Sequence, residues 1–152
     1  MAQNTAPIYS QVPIITAAQL TSSTTASTRS DGVGTIGTDL IKAFTANATN
    51  GSFVSKLRIL ATASTPTTMQ AATVIRIFIS SITSSTTLAT NTFLFNEVST
   101  AAIPAANAAN ATNYYEVPIN LALPASYTIL VSIHVQPTAN TTWQCVVYAG
   151  DY

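Results

Sequence analysis

Charge is nearly absent from this chain. Only 7% of its 152 residues are Asp, Glu, Lys or Arg, and the five bases cancel the five acids. An ordinary soluble domain carries roughly 25%. A neutral balance excludes the basic footprint that nucleic-acid binding needs. A single cysteine, Cys145, excludes an intrachain disulfide and with it a disulfide-built secreted scaffold. Apolar runs stop far short of the ~20 residues that cross a bilayer, so no membrane partner is expected. The N-terminal residues have neither a basic n-region nor an apolar h-region, and synthesis in a cytoplasm is the expectation. Gly and Pro are not in excess, with 5 and 7 copies, which argues against wholesale disorder.

What fills the polar positions is Thr, Ser, Asn and Ala. Surfaces of that kind repel each other weakly, and zero net charge favours association. The composition reads as a part made to sit in an assembly. The 47% hydrophobic content in one domain-sized chain supports a core without staples.

The hydrophobic period is two, which is the period of strands. Phe53, Ser55, Leu57 and Ile59 alternate with Val54, Lys56 and Arg58. Ile75, Ile77 and Ile79 alternate with Val74, Arg76 and Phe78. Tyr115, Val117, Ile119, Leu121 and Leu123 alternate with Tyr114, Glu116, Pro118 and Asn120. Ile129, Val131, Ile133 and Val135 alternate with Thr128, Leu130, Ser132 and His134. Weaker strands are expected at 7–9, 13–16, 39–46, 92–98 and 142–148. Pro118 inside a strand pattern predicts an edge or a bulge. Asn50-Gly51 predicts a hairpin turn. Residues 101–111 read as a loop or a turn or two of helix. Residues 80–92 read as a Ser/Thr-rich connection at a tip.

The expected fold is therefore all-β, an antiparallel β-sandwich of about eight strands in the manner of a jelly roll. Residues 1–37 form an N-terminal strand and exposed arm, and residues 38–152 form the sandwich domain.

No reaction is legible. His134 is the only histidine and falls on a polar strand face. Cys145 shares a face with Trp143 and Val147 and reads as a small buried hydrophobe. Asp31, Asp39, Glu97, Glu116 and Asp151 are scattered, with no spacing that forces a carboxylate pair. No metal-ligand cluster, phosphate cradle or cofactor motif is seen, so no cofactor is expected. The four Asn-x-Ser/Thr sequons, at Asn47, Asn50, Asn110 and Asn140, follow from the abundance of Asn and Thr.

The candidate functional residues are those of an interface. Tyr9 lies in the arm, and alternation turns Phe78, Tyr114 and Tyr148 outward. Exposed aromatics serve as interface anchors, and the alternative is that they fill the corners of an ordinary sandwich. Lys56, Arg58 and Arg76 also fall on outward faces. There they either guard apolar strands against edge-to-edge pairing or meet acidic groups on a neighbour.

Several short orders of residues resemble small structural proteins of tailed bacteriophages. They are Thr5-Ala6-Pro7-Ile8-Tyr9, Phe44-Thr45-Ala46, and the run Gly51-Ser52-Phe53-Val54-Ser55-Lys56-Leu57-Arg58. Further along come Arg76-Ile77-Phe78-Ile79, Tyr115-Glu116-Val117-Pro118-Ile119, Leu123-Pro124-Ala125-Ser126-Tyr127 and Ala149-Gly150-Asp151-Tyr152. The resemblance implies a virion component with a β-sandwich fold and no enzymatic role. A capsid decoration, or cement, protein is expected first. It would bind the major capsid protein on the outside of an assembled head, as a homotrimer, with the arm reaching a neighbour. Binding only the closed shell would stabilise that shell by linkage. A tail- or fibre-borne carbohydrate- or receptor-binding module is the alternative, with Trp143 and the tyrosines stacking on sugar rings.

Overall fold

In the computed structural model of the chain, which describes residues 12–64, 70–103 and 114–152, every strand pairing is antiparallel and no helix forms. The strands are β1 (Val12–Thr21), β2 (Gly34–Thr35), β3 (Ile41–Thr45), β4 (Ser52–Ala63), β5 (Thr73–Ser80), β6 (Thr86–Thr87), β7 (Thr92–Thr100), β8 (Tyr114–Leu123), β9 (Thr128–Ile133) and β10 (Thr141–Asp151). Eight long strands make two four-stranded sheets. Sheet I has the order β1-β10-β4-β8, and Sheet II the order β3-β9-β5-β7. The pair β2-β6 stands apart.

The two sheets form a sandwich around one apolar core. Sheet I contributes Leu20, Val54, Leu57, Ile59, Val117, Trp143, Cys145 and Val147. Sheet II contributes Phe44, Ile75, Ile77, Ile129, Val131 and Ile133. The period-two pattern carries these residues inward because successive side chains of a strand point to opposite faces. β10 shows this most plainly: Thr141, Trp143, Cys145 and Val147 are buried, while Thr142, Gln144, Val146 and Tyr148 turn outward.

Pro118 lies in β8, an edge strand, as a proline in a strand pattern requires. The expectation at 7–9 lies outside the described residues, as do 104–111 of the loop expected at 101–111.

Four expectations are corrected. First, alternation breaks in β4. The register with β10 steps from Lys56↔Tyr148 to Val54↔Ala149, which leaves Ser55 as an extra residue. This bulge moves Val54 into the core and turns Phe53 and Ser55 to the opposite face from Leu57. Second, Asn50-Gly51 is not a hairpin. It joins β3 of Sheet II to β4 of Sheet I. The Asn47 side chain accepts from the backbone of Thr49 at 2.9 Å and Asn50 at 3.2 Å, and Gly51 takes φ 77°. A Cβ at Gly51 would strike the Leu123 carbonyl oxygen.

Third, Phe78 and Arg76 do not face outward into solvent. Phe78 is 1% exposed and packs with Leu40, Leu130 and Ile36 in a second, smaller apolar cluster. Arg76 is 7% exposed. Fourth, the cover over both is the segment expected to be an exposed arm. Residues 22–40 lie along the outer face of Sheet II. The Ser27 amide donates to the Ile133 carbonyl at 2.8 Å, and the Gln136 side chain donates to the Thr24 carbonyl at 3.0 Å. The Gly34 amide donates to Thr87 Oγ1 at 3.0 Å, and β2 pairs with β6 inside the 80–92 connection. Thr128 and Ser132, read as an open polar face, are fully buried, and Thr128 Oγ1 donates to the Ile82 carbonyl at 2.9 Å.

Candidate interaction surface

Sheet II is thus closed on both faces over β9 and β5. The outer face of Sheet I carries no such cover among the described residues, and the register assembles it row by row. One row runs Ile15, Tyr148, Lys56, Pro118. The next runs Ala17, Val146, Arg58, Glu116, and the third Gln19, Gln144, Leu60, Tyr114. Four of the seven sequence candidates, Lys56, Arg58, Tyr114 and Tyr148, therefore meet on one face. Phe78 and Arg76 are on the other sheet and buried, and Tyr9 lies outside the described residues.

Of the two cations on this face one has an acidic partner within the chain and one is stacked on a ring. Lys56 Nζ bonds Glu116 Oε1 at 2.9 Å and sits 5.4 Å from the centre of the Tyr148 ring. The Arg58 guanidinium carbon lies 3.9 Å from the centre of the Tyr114 ring. Both are cation–π contacts, which hold the rings over the sheet and leave their far sides open. Arg58 Nε is buried under this stack without a hydrogen-bond partner.

At the β1 end of the face the Ser55 bulge opens a groove of about 330 Å³. Ile15, Phe53 and Tyr148 line it together with Pro13 and Ser55. Ile15 is 68% exposed. The alternation in 13–16 was legible in the sequence, but the bulge that swings Phe53 toward Tyr148 was not.

The remaining charged groups serve the fold. Arg76 bonds Glu97 at 2.6 Å and the Ser27 carbonyl at 3.0 Å, and its terminal nitrogens lie 3.5 Å from His134 Nδ1. Arg29 bonds Asp31 through Nε at 3.0 Å. That hydrogen bond, with another from the Val33 amide, holds the Asp31 carboxyl below the ordinary carboxylate range. Asp151 accepts from Asn47 and Ser52 and ties the β3–β4 crossing to β10.

His134 lines a shallow groove of about 240 Å³ with Thr73 and Thr100, and no acidic side chain lines it. No three His, Cys, Asp or Glu side chains come together as metal ligands among the described residues. Cys145 is fully buried, and burial pushes its thiol up to about 12. Trp143 is fully buried against Tyr115, ring centres 6.4 Å apart, and cannot stack on a ligand.

Compared with known proteins, the chain matches no family model, no curated protein and no solved structure.

Proposed function

We propose that this chain is a structural protein of a bacteriophage virion that decorates the assembled head through the outer face of Sheet I. One observation carries the reading. Residues 22–40 cover Sheet II, whereas among the described residues nothing covers the outer face of Sheet I, where Tyr114, Tyr148, Lys56 and Arg58 gather. Aromatic and arginine side chains on a half-apolar face are the usual anchors of a protein interface. Lys56 is already paired with Glu116 inside the chain, while Arg58 keeps its positive charge beneath Tyr114 and offers it to an acidic group of the partner. The partner in this reading is the major capsid protein, and the work is mechanical: contact area added across subunit boundaries of a closed shell.

The strand order supports the architecture that the reading assumes. With the two-residue strands set aside, the eight long strands run first-eighth-third-sixth in Sheet I and second-seventh-fourth-fifth in Sheet II. We infer a jelly roll from that interleaving, an architecture used in viral capsid proteins and in lectins.

Co-sedimentation with isolated heads tests the reading. Wild-type protein is expected in the head pellet at saturable, high copy number. Lys56→Glu repels Glu116 and removes the contact with Tyr148, and it is expected to lower head binding with little change in melting temperature. Equal binding by the two proteins removes the Sheet I face from the interface.

The groove favours one second reading. Tyr148 beside Ser55 in an open cleft of about 330 Å³ is a platform on which a sugar ring could stack. A tail-borne carbohydrate-binding module would then show glycan binding that Tyr148→Ala abolishes, and no affinity for heads.

A further inference from the structure

Every acid of this chain is already engaged. Of the five, Asp31 pairs with Arg29, Glu97 with Arg76 and Glu116 with Lys56. Asp39 accepts from the Thr35 amide, and Asp151 from Ser52 and Asn47. Among the described residues Arg58 pairs with no carboxylate. Residues 1–11, 65–69 and 104–113 contain neither Asp nor Glu, so they have none to give it.

Arg58 is not an ordinary solvated charge. β4 is an inner strand of Sheet I, and Arg58 stands in one row between Val146 of β10 and Glu116 of β8. Glu116 faces it in the register but gives its carboxylate to Lys56. The Tyr114 ring covers one side of the guanidinium, and Nε is out of water with no acceptor. Nη1 and Nη2 do not share that burial.

A partner that settles on this face takes water away from Nη1 and Nη2 as well. An apolar cover would leave a desolvated cation, which costs more than apolar contact returns. A carboxylate meeting the end of the guanidinium turns the same burial into two charge-assisted hydrogen bonds. Tyr114 stays where it is, because a guanidinium takes carboxylate at its edge and an aromatic ring on its face. The approach is end-on, since Nε is closed off. The face asks for one negative charge and no more. Its charged side chains among the described residues are Lys56, Arg58 and Glu116, and a second carboxylate beside the first would meet Glu116. A nucleic-acid backbone, with its repeated charge, fits such a face poorly.

We propose that the outer face of Sheet I docks a segment of a different protein that presents one isolated Asp or Glu between apolar residues, its carboxylate bridging Nη1 and Nη2 of Arg58. The inference rests on the reading of Sheet I as the docking face and names the chemistry of its partner. A second copy of this chain does not fit, because it brings no acid that is not already bonded. Val146 and Leu60, on either side of Arg58 in the register, meet the apolar neighbours of the acid.

Nitrogen–proton correlation spectra of the isotope-labelled full chain test the contact, because each arginine gives its own Nε–H signal. The probes are two blocked peptides, acetyl-Ala-Leu-Glu-Leu-Ala-amide and the same peptide with Gln in place of Glu. The Glu peptide is expected to shift the Arg58 signal and the Tyr114 ring protons. Arg29 and Arg76, whose guanidinium groups already hold carboxylates, are expected to stay in place. The Gln peptide is expected to bind about tenfold more weakly or worse. Arg58→Lys keeps the charge but loses the planar fork, and is expected to weaken the Glu peptide by about tenfold. An Arg58 signal that millimolar Glu peptide leaves unmoved overturns the proposal. So do equal shifts from the two peptides, or larger shifts at Arg29 or Arg76. These readings come from the wild-type chain, so no misfolded variant imitates them. Co-sedimentation with heads separates the proposal from the reading beneath it. Equal head binding by wild type and Arg58→Gln, with Lys56→Glu impaired, overturns the carboxylate and spares the face. Arg58-dependent binding of the Glu peptide with no affinity for heads supports the carboxylate and overturns the head as partner.

Discussion

Arg76 Nη1 donates to the carbonyl of Ser27 at 3.0 Å, joining the middle of β5 to a segment 49 residues earlier in the chain. The same guanidinium bonds Glu97 on the neighbouring strand. A side chain placed on the polar face of a strand by alternation thus acts as a latch for the segment that covers the strand.

Replacing Arg76 with Gln is expected to loosen that cover. The Ser27 carbonyl loses its donor, and Glu97 loses its cation. Glu97 is 45% exposed, so water compensates much of the ion pair and the cost is about 1–3 kcal/mol. Urea unfolding measures the loss. Trypsin gives a local readout, because Arg29 lies within the covering segment: cleavage after Arg29 is expected to accelerate in the variant more than global unfolding accounts for.

Phe78 gives the sharper stability test. A surface phenylalanine changed to Ala alters stability by less than about 0.5 kcal/mol. Phe78 is buried with Leu40, Leu130 and Ile36, so Phe78→Ala is expected to cost about 3–5 kcal/mol. Chemical denaturation of Phe78→Ala beside Phe93→Ala, whose ring is exposed, separates the two cases within one sheet.

The Cys145 thiol is expected to be silent in the native protein. Its pKa is raised to about 12 by burial, so at pH 8 the native chain offers neither thiolate nor access. A thiol-reactive dye is expected to label the chain only in denaturant. The linkage has a definite sign. The unfolded thiol ionises near its ordinary value of 9.0, while the native one holds its proton to about 12. This contribution to stability is therefore complete below pH 9 and is lost as pH rises through that window. Melting curves between pH 8 and 11 for wild type and Cys145→Ala measure it, the wild type falling more steeply.

The elements written in the sequence are those whose two faces meet different environments. Trp143, Cys145 and Val147 alternate cleanly because β10 has the core on one side and an open face on the other. β5 and β9 alternate less cleanly, with Val74, Phe78 and Leu130 among the outward positions, and both their faces are buried. Residues 22–40 bind there mostly through backbone hydrogen bonds and through Ser, Thr and Gly contacts at Ser27, Gly34 and Thr87. Only Ile36 and Leu40 of that cover are large apolar residues in contact with Phe78 and Leu130, too few to mark the segment as a packed layer, so Phe78 and Arg76 read as exposed. Of the candidate surface, Lys56, Arg58, Tyr114 and Tyr148 were legible because their strands face solvent. The groove was not, since the Ser55 bulge inverts the inside and outside of a strand by one residue and no residue type announces it.

The pairing of β1 with β10, from Val12↔Asp151 to Thr21↔Thr142, sets the order of events during synthesis. β1 is the first of the long strands to be made and β10 the last, so β1 waits unpaired while the intervening strands emerge. Sheet I acquires both β1 and the central position of β10 in a single late step. Folding is therefore expected to complete only after β10 has cleared the ribosome. Its rate should fall in the milliseconds-to-seconds range of folds dominated by distant pairings. Throughout that interval β1 holds its ladder groups unpaired, and the nascent chain depends on the speed of that final step to outrun aggregation.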